Sequence, residues 1–227
     1  MTNSWQDPEA AAEWDGALGH DLPTRAEQVD VLLSLLATAE IGDGAVLDLG
    51  VGSGLVAERV LAEFPQARLV GVDFSRAMLE LASKRLERFA GRVELVQHDL
   101  AKVTSLVVPL AEYRAAFSVQ TLHHLTDHEK AKAYAWSADV LAPGGLLVVA
   151  DQVAFPELLF EQWRALWRKL DLETPRSHAD YLAGLAQEGD RPARLEDQLS
   201  WMRSAGLAAV CFHAYANRAV LVGRTSR

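Results

Sequence analysis

Asp73 and Asp99 close two short apolar runs, "LVGVDF" and "VELVQHD", while a third run, "VLDLG", carries Asp48 and opens into Gly50, Gly52 and Gly54. A carboxylate in such a place can accept hydrogen bonds from both hydroxyls of a ribose, or from an exocyclic amine such as that of adenine. Closely spaced glycines let a backbone come near a ligand. Either aspartate taken alone is as well explained as a helix cap or turn former. The three together point to a cofactor that contains a nucleoside. A second group is His123 and His124 in "TLHHL", with Asp151 at the end of "GGLLVVAD", and His20 and His178 elsewhere. These types can take a proton from an acceptor, although one of the paired histidines could instead pack against or cap the next segment.

Two familiar cofactor signatures are not spelled out. The dinucleotide fingerprint needs G-x-G-x-x-G, and Leu55 stands where its last glycine would fall, giving G-x-G-x-G over Gly50 to Gly54. No Gly-Lys-Ser or Gly-Lys-Thr follows, which removes the P-loop.

Elements that could position these residues follow from periodicity. A helix is expected over 25–39, a strand over 45–50, then a helix over 54–65 that stops at Pro65. The alternation repeats as strand 67–74, helix 75–90 with Ser75 as N-cap, strand 93–99, strand 115–120, helix 127–141 and strand 144–151. Strands alternating with helices predict a parallel sheet covered on both faces, with ligands outside the carboxyl ends of the strands. Helices over 155–172 and 194–206 follow, the second ending at Gly206, and then two strands around an Ala-Asn-Arg turn at 216–218.

In this order and spacing, "VLDLGVGSG", "LVGVDFSRAMLELA", "VELVQHDL", "FSVQTLHHL" and "LAPGGLLVVAD" resemble the class I S-adenosylmethionine-dependent methyltransferases of small-molecule type. The resemblance covers 45–151, and "WMRSAGLAAVCF" with "RAVLVGR" is similar to that family's closing hairpin. It implies an α/β Rossmann-like, doubly wound, seven-stranded, mostly parallel sheet with an antiparallel C-terminal hairpin. It also implies an N-terminal helical cap over 1–40, a cofactor-binding core over 41–151, a helical substrate insertion over 152–203 and the hairpin over 204–227. The implied cofactor is S-adenosyl-L-methionine. Gly50, Val51 and Gly52 would approach its methionine part, with Asp48 supporting the turn or the amino group, and Asp73 would hold the ribose. Phe74 and Met78 would flank the adenine, Asp99 would take its amine and the Leu100 amide its ring nitrogen. Gln120 would face the methionine end or the acceptor, and Arg25 the cofactor carboxylate. The chain departs from the family at Arg114, where an aspartate is usual.

Composition bounds the partners. The 227 residues are 50% hydrophobic and 23% charged, ordinary for one globular domain. A formal charge of −9 disfavours bulk nucleic acid, and no apolar run is long enough to span a membrane. The polar beginning lacks a signal segment, so a cytoplasmic monomer or homodimer is expected. Cys211 is the one cysteine, and its strand-like neighbours suggest a buried, inert thiol.

The sulfonium methyl is already electrophilic, so positioning in a dry pocket suffices for a thiol or amine, while a hydroxyl or carbon acceptor wants a base. His123 and His124 are the catalytic candidates, without a metal. In a metal-dependent branch of the family, glutamates stand where this chain has Gln120 and His123, and their loss removes the oxygen ligands a hard cation prefers; a softer metal could still use the histidines. His124 and His128 could also share a helical face. Aromatic residues collect outside the core at Trp5, Trp14, Phe155, Phe160, Trp163, Trp167, Tyr181 and Trp201. Phe160, Trp163 and Trp167 form a helical stripe that suits core packing or a partly apolar small acceptor. Two alternatives stand beside this reading. One is a carboxymethyl-cofactor enzyme of tRNA modification, which needs an extra cation such as Arg194 or Arg203; the other is a non-catalytic cofactor-binding module.

Overall fold

The structure, a computed structural model, describes residues 6–18, 23–110 and 112–226. Trp5 and His20 lie outside the described residues, as does the side chain of Trp14. The elements in order are α1 (Pro8–Leu18), α2 (Pro23–Leu36), β1 (Ala45–Leu49), α3 (Leu55–Glu63), β2 (Arg68–Asp73), α4 (Arg76–Arg85) and β3 (Val93–Gln97). Then come β4 (Tyr113–Val119), α5 (Asp127–Val140), β5 (Leu141–Ala154), α6 (Phe160–Arg168), α7 (His178–Glu188) and β6 (Ala193–Arg194). Finally α8 (Leu195–Ser204) leads into the hairpin β7 (Ala208–Tyr215) and β8 (Arg218–Arg224).

The strands lie in the order β3-β2-β1-β4-β5-β8-β7, parallel through β5 and antiparallel beyond it. Every residue of β1 is buried, as expected of a strand covered on both faces. Alternation assigns the faces. Val46 packs with Leu32, Leu36, Val60 and Leu61 of α2 and α3 and with Leu86 just past α4, whereas Leu47 and Leu49 face Tyr134 of α5 and Met202 of α8. Chain order reverses beside β1, which pairs with β2 on one side and β4 on the other, and that switch opens a crevice at the strand ends.

Local signals set the boundaries. Ser75 caps α4, its hydroxyl accepting from the Met78 amide at 3.2 Å. Thr126 and Glu129 form a reciprocal capping box that starts α5. The expected helix over 75–90 ends at Arg85, and a 3-10 segment continues it (Glu87–Arg92).

The sheet is of the expected kind, with one addition. The fifth strand does not stop at Asp151: it runs to Ala154, and Val153 and Ala154 pair with the two-residue β6. Asp151 looked like a terminus because it is charged, yet it pairs opposite Ala219 inside the sheet. The helices after β5 divide into two kinds. Met202 of α8 is buried in the main core, while Phe160, Trp163 and Trp167 of α6 form a separate cluster with Phe155 and Tyr181. Cys211 is partly buried in β7, and burial pushes its thiol up. Among the described residues no helix is long and apolar enough to cross a membrane.

Candidate active site

A cleft of about 1010 Å³, counting its open mouth, lies outside the carboxyl ends of β1 to β4. Its first wall is backbone. Gly50 has φ +88°, and a Cβ there would overlap Thr121. Gly52 has φ +53° and only open space where a Cβ would point. The first glycine is thus required by the protein and the second leaves the loop bare toward the cleft. Val51, between them, also lines the cleft.

Three aspartates stand at three consecutive strands. Asp48 is 2% exposed, and its Oδ2 has no hydrogen-bond partner among the described residues. Burial, then the charge of Asp73, pushes its carboxyl well above the usual range. Asp73 accepts from the Gly52 amide through Oδ2 and from the Ser75 amide through Oδ1, each at 2.9 Å. Burial raises its pKa and these amides only partly offset the rise. Asp99 does serve as a cap, accepting from the Ala101 amide at 3.0 Å through one oxygen. All three nevertheless line the cleft, as do Phe74, Met78 and Leu100.

The opposite wall is built from side chains. Gln120, at φ +52°, ends β4 and lines the cleft together with Thr121, His124 and Arg25. Burial and the neighbouring Arg218 lower Arg25 to about 10, against the pull of Asp151, so it stays cationic at neutral pH. His123 does not reach the cleft lining. It is buried behind His124, with Nδ1 2.5 Å from Asp151 Oδ1, its amide donating to Asp151 Oδ2 at 3.0 Å, and Nε2 3.4 Å from Asp190 Oδ1. Burial alone would lower its pKa, but Asp151 and Asp190 outweigh burial and hold the imidazolium up to about 9. Both carboxylates are correspondingly held below their usual range. Asp190 also lies 3.0 Å from His124 Nδ1, and its Oδ2 accepts from Gln152 Nε2 at 2.9 Å. The chain Asp151, His123, Asp190, His124 therefore runs from the sheet to the wall of the cleft.

Ligand atoms, one each from His123, His124 and Asp190, lie within 4.8 Å of one another, a spacing that could hold a metal ion. Ligating histidine must be neutral, and the raised His123 already fills that centre with its own positive charge. His128 is exposed on α5, and His178 lines a different cavity. Arg194 pairs with Glu196, and Arg203 donates to the Ala209 carbonyl; neither lines the cleft.

Sequence reading passed over Thr121, Asp190 and Arg218. Asp190 sits beside Arg191 and Pro192 between two helices, and nothing local marks its contact with residues 123 and 124. Thr121 had a signal in hindsight: a positive-φ glycine at 50 needs a neighbour that forbids a side chain.

An open α/β sheet with a glycine loop and carboxylates at successive strand ends defines a nucleoside-cofactor protein of Rossmann-like type. Comparison with known proteins makes this specific. A family model described as "Methyltransferase domain" matches residues 46–145. The chain is 31% identical over 196 residues to a trans-aconitate 2-methyltransferase of Methylobacterium nodulans, covering 86% of this chain and 69% of that one. It is 37% identical over 103 residues to a ribosomal RNA small subunit methyltransferase H of Mycobacterium marinum, but covers only 26% of it. Human N-acetylserotonin methyltransferase, solved with S-adenosylmethionine, superposes with a TM-score of 0.63 at 16% identity, over 100% of this chain and 59% of that one. The chain belongs to the class I S-adenosylmethionine-dependent methyltransferases.

The residues present fit that family's cofactor, S-adenosylmethionine. The unpaired Asp48 oxygen can take an ammonium, the bare Gly52 backbone admits close approach, and Asp73 and Asp99 offer acceptors to hydroxyls and an amine.

Proposed function

We propose that this protein transfers a methyl group from S-adenosylmethionine to a small, partly apolar acceptor. The observation that carries the reading is one cleft with two unlike walls: a backbone loop and three aspartates on one, His124 and Gln120 on the other. When bound, the cofactor supplies a methyl carbon already activated for in-line attack, with the bonding electron pair leaving on sulfur.

The chain's own residues do the rest. Asp48 holds the amino group of the methionine end, Arg25 its carboxylate, Gly50 to Gly52 bring backbone against it, and Asp73 accepts from the ribose. Phe74 and Met78 pack on the adenine, Asp99 accepts from its amine, and Leu100 donates an amide. His124 faces the acceptor end and receives a proton where the acceptor is a hydroxyl or an amine. His123 is a positioning residue: its imidazolium ties Asp151 to Asp190, and Asp190 orients the His124 ring. The name of the relatives, trans-aconitate methyltransferase, supports a small acceptor.

Two measurements test this. Isothermal titration with S-adenosylmethionine should give micromolar affinity. Formation of S-adenosylhomocysteine should then depend on an acceptor drawn from a library of small acids, phenols and amines that includes trans-aconitate. Absence of binding removes the cleft assignment, and binding without turnover on the whole library turns the reading toward a cofactor-binding module.

A further inference from the structure

One partly buried cation beside the cleft is left unused by this reading. Arg218 opens β8 opposite Gln152 of β5. Its Nη1 donates to the Gln120 side-chain carbonyl, and its guanidinium carbon lies 5.8 Å from the ring centre of Trp167. Its Nε is shut off from water and has no hydrogen-bond partner among the described residues. Asp151 and Asp190 attract the guanidinium from a distance, yet no carboxylate of the described residues comes within 4.0 Å of it. A guanidinium offers five donors in a fork that matches a carboxylate, and here the Nε edge of that fork is unengaged.

The position is fixed by the aromatic stripe. Ala216 and Asn217 form the turn before β8, and the buried Asn217 Oδ1 accepts from Trp163 Nε1 at 2.9 Å and Trp167 Nε1 at 3.1 Å. The two indoles therefore clamp the turn that delivers Arg218. On one side of Arg218, Gln120 lines the cofactor cleft. On the other, Tyr181, which interacts electrostatically with Arg218, lines a second, open cavity of about 680 Å³, counting its mouth, with Phe155, His178, Leu185 and Asp190. Arg218 thus links the walls of the two: it bonds Gln120 of the cofactor cleft and interacts with Tyr181 of the aromatic-walled cavity, while lining neither itself.

We propose that Arg218 determines acceptor specificity: it binds a carboxylate of the methyl acceptor, whose apolar part fills the Phe155–Tyr181 cavity. The inference rests on the methyl-transfer reading above.

The test uses full-length protein saturated with S-adenosylhomocysteine, titrated calorimetrically with trans-aconitate and cinnamate and with the corresponding amides. The acids should bind at least about tenfold more tightly than the amides, as a charge-assisted fork contact requires. R218Q should erase that preference and R218K keep part of it, with the KM for an acid rising more than kcat falls. Affinity for S-adenosylmethionine should fall by less than affinity for the acids in both variants, because Arg218 reaches the cofactor cleft only through Gln120. Equal binding of acids and amides by the wild type, no binding of either acid, or an acid preference that survives R218Q overturns the proposal. The first two outcomes need no variant to fold. Failure of the wild type to bind S-adenosylmethionine would instead overturn the methyl-transfer reading itself.

Discussion

The two walls of the cleft are made by different physics. On the wall at β1, β2 and β3, the backbone does the shaping: Gly50 and Gly52 bare it, and Asp73 holds both the Gly52 and the Ser75 amides. On the wall at β4 and β5, ion pairs join residues far apart in sequence, such as His123 to Asp151 and His124 to Asp190. The first wall carries a carboxyl raised by burial, Asp48; the second carries carboxylates lowered by an imidazolium. A wall with spare acceptors suits a cationic ligand, whereas a self-neutralised network suits alignment of a partner that changes from protein to protein.

Breaking each wall separately gives the largest contrast. Asp73→Ala should weaken S-adenosylmethionine binding by about 100-fold or more, because it removes a ribose acceptor and strands two buried amides. Unchanged affinity in a titration would dissolve the cofactor assignment. His124→Gln should leave that affinity within about twofold while lowering kcat/KM for a hydroxyl or amine acceptor by about 100-fold, the usual worth of a positioned base. A loss of cofactor affinity as large as the loss of rate would show that the walls are not independent.

Next in size is an effect on stability confined to the second wall. His123→Gln leaves Asp151 buried without its counter-charge, at a cost of about 3 kcal/mol, or a fall in Tm of roughly 6–12 °C for a chain of this length. The sign with pH is fixed. His123 is raised in the folded state from about 6.5 to about 9, so its contribution is complete below pH 6.5 and disappears as pH rises through 9. Asp151 is lowered, so the same contact is also lost as acid protonates it below its usual value. Melting curves should therefore show the widest gap between wild type and variant near pH 6, closing toward pH 9.5. A gap independent of pH would mean that packing, not charge, is what His123 supplies.

The first wall makes the opposite trade. Asp48→Asn should leave the folded protein no less stable at pH 7, since a raised carboxyl costs stability as it ionises and the amide does not. Cofactor affinity should fall about tenfold, as expected when an ammonium loses a charged acceptor. A destabilised D48N with intact binding would reverse the assignment of Asp48 from ligand contact to scaffold.

The same contrast explains what could be read from sequence. The placement of strands and helices, the glycine loop, the Ser75 cap and the carboxylates at the strand ends follow from periodicity and short motifs, because each depends on residues within one turn or strand. Every residue expected to meet the cofactor does line the cleft. The second wall was half legible. His123 and His124 drew attention as a pair, yet one is buried and one lines the cleft, a distinction set by Asp151 and Asp190 folding against them. The third contact of that kind, Arg218, looked like part of a hairpin turn. Nothing local shows that Trp163 and Trp167, some 50 residues earlier, would clamp Asn217 beside it. β6 escaped for another reason: two residues are too short for any periodicity, and the strand exists because β5 outruns Asp151.

The smallest expected effect concerns the donor atoms of His123, His124 and Asp190. Their spacing could coordinate a metal, so the network might be taken for an empty metal site rather than an ion-pair relay. The charges decide between the two. A divalent ion must displace the His123 proton, which two carboxylates hold until about pH 9, so below that pH the proton competes with the ion. Treatment with EDTA should then leave both turnover and melting temperature unchanged at pH 7, and added Zn²⁺ or Ni²⁺ should not raise either. Restoration of activity by a metal after chelation would make His124 a ligand instead of a base, and would redraw the second wall while leaving the first intact.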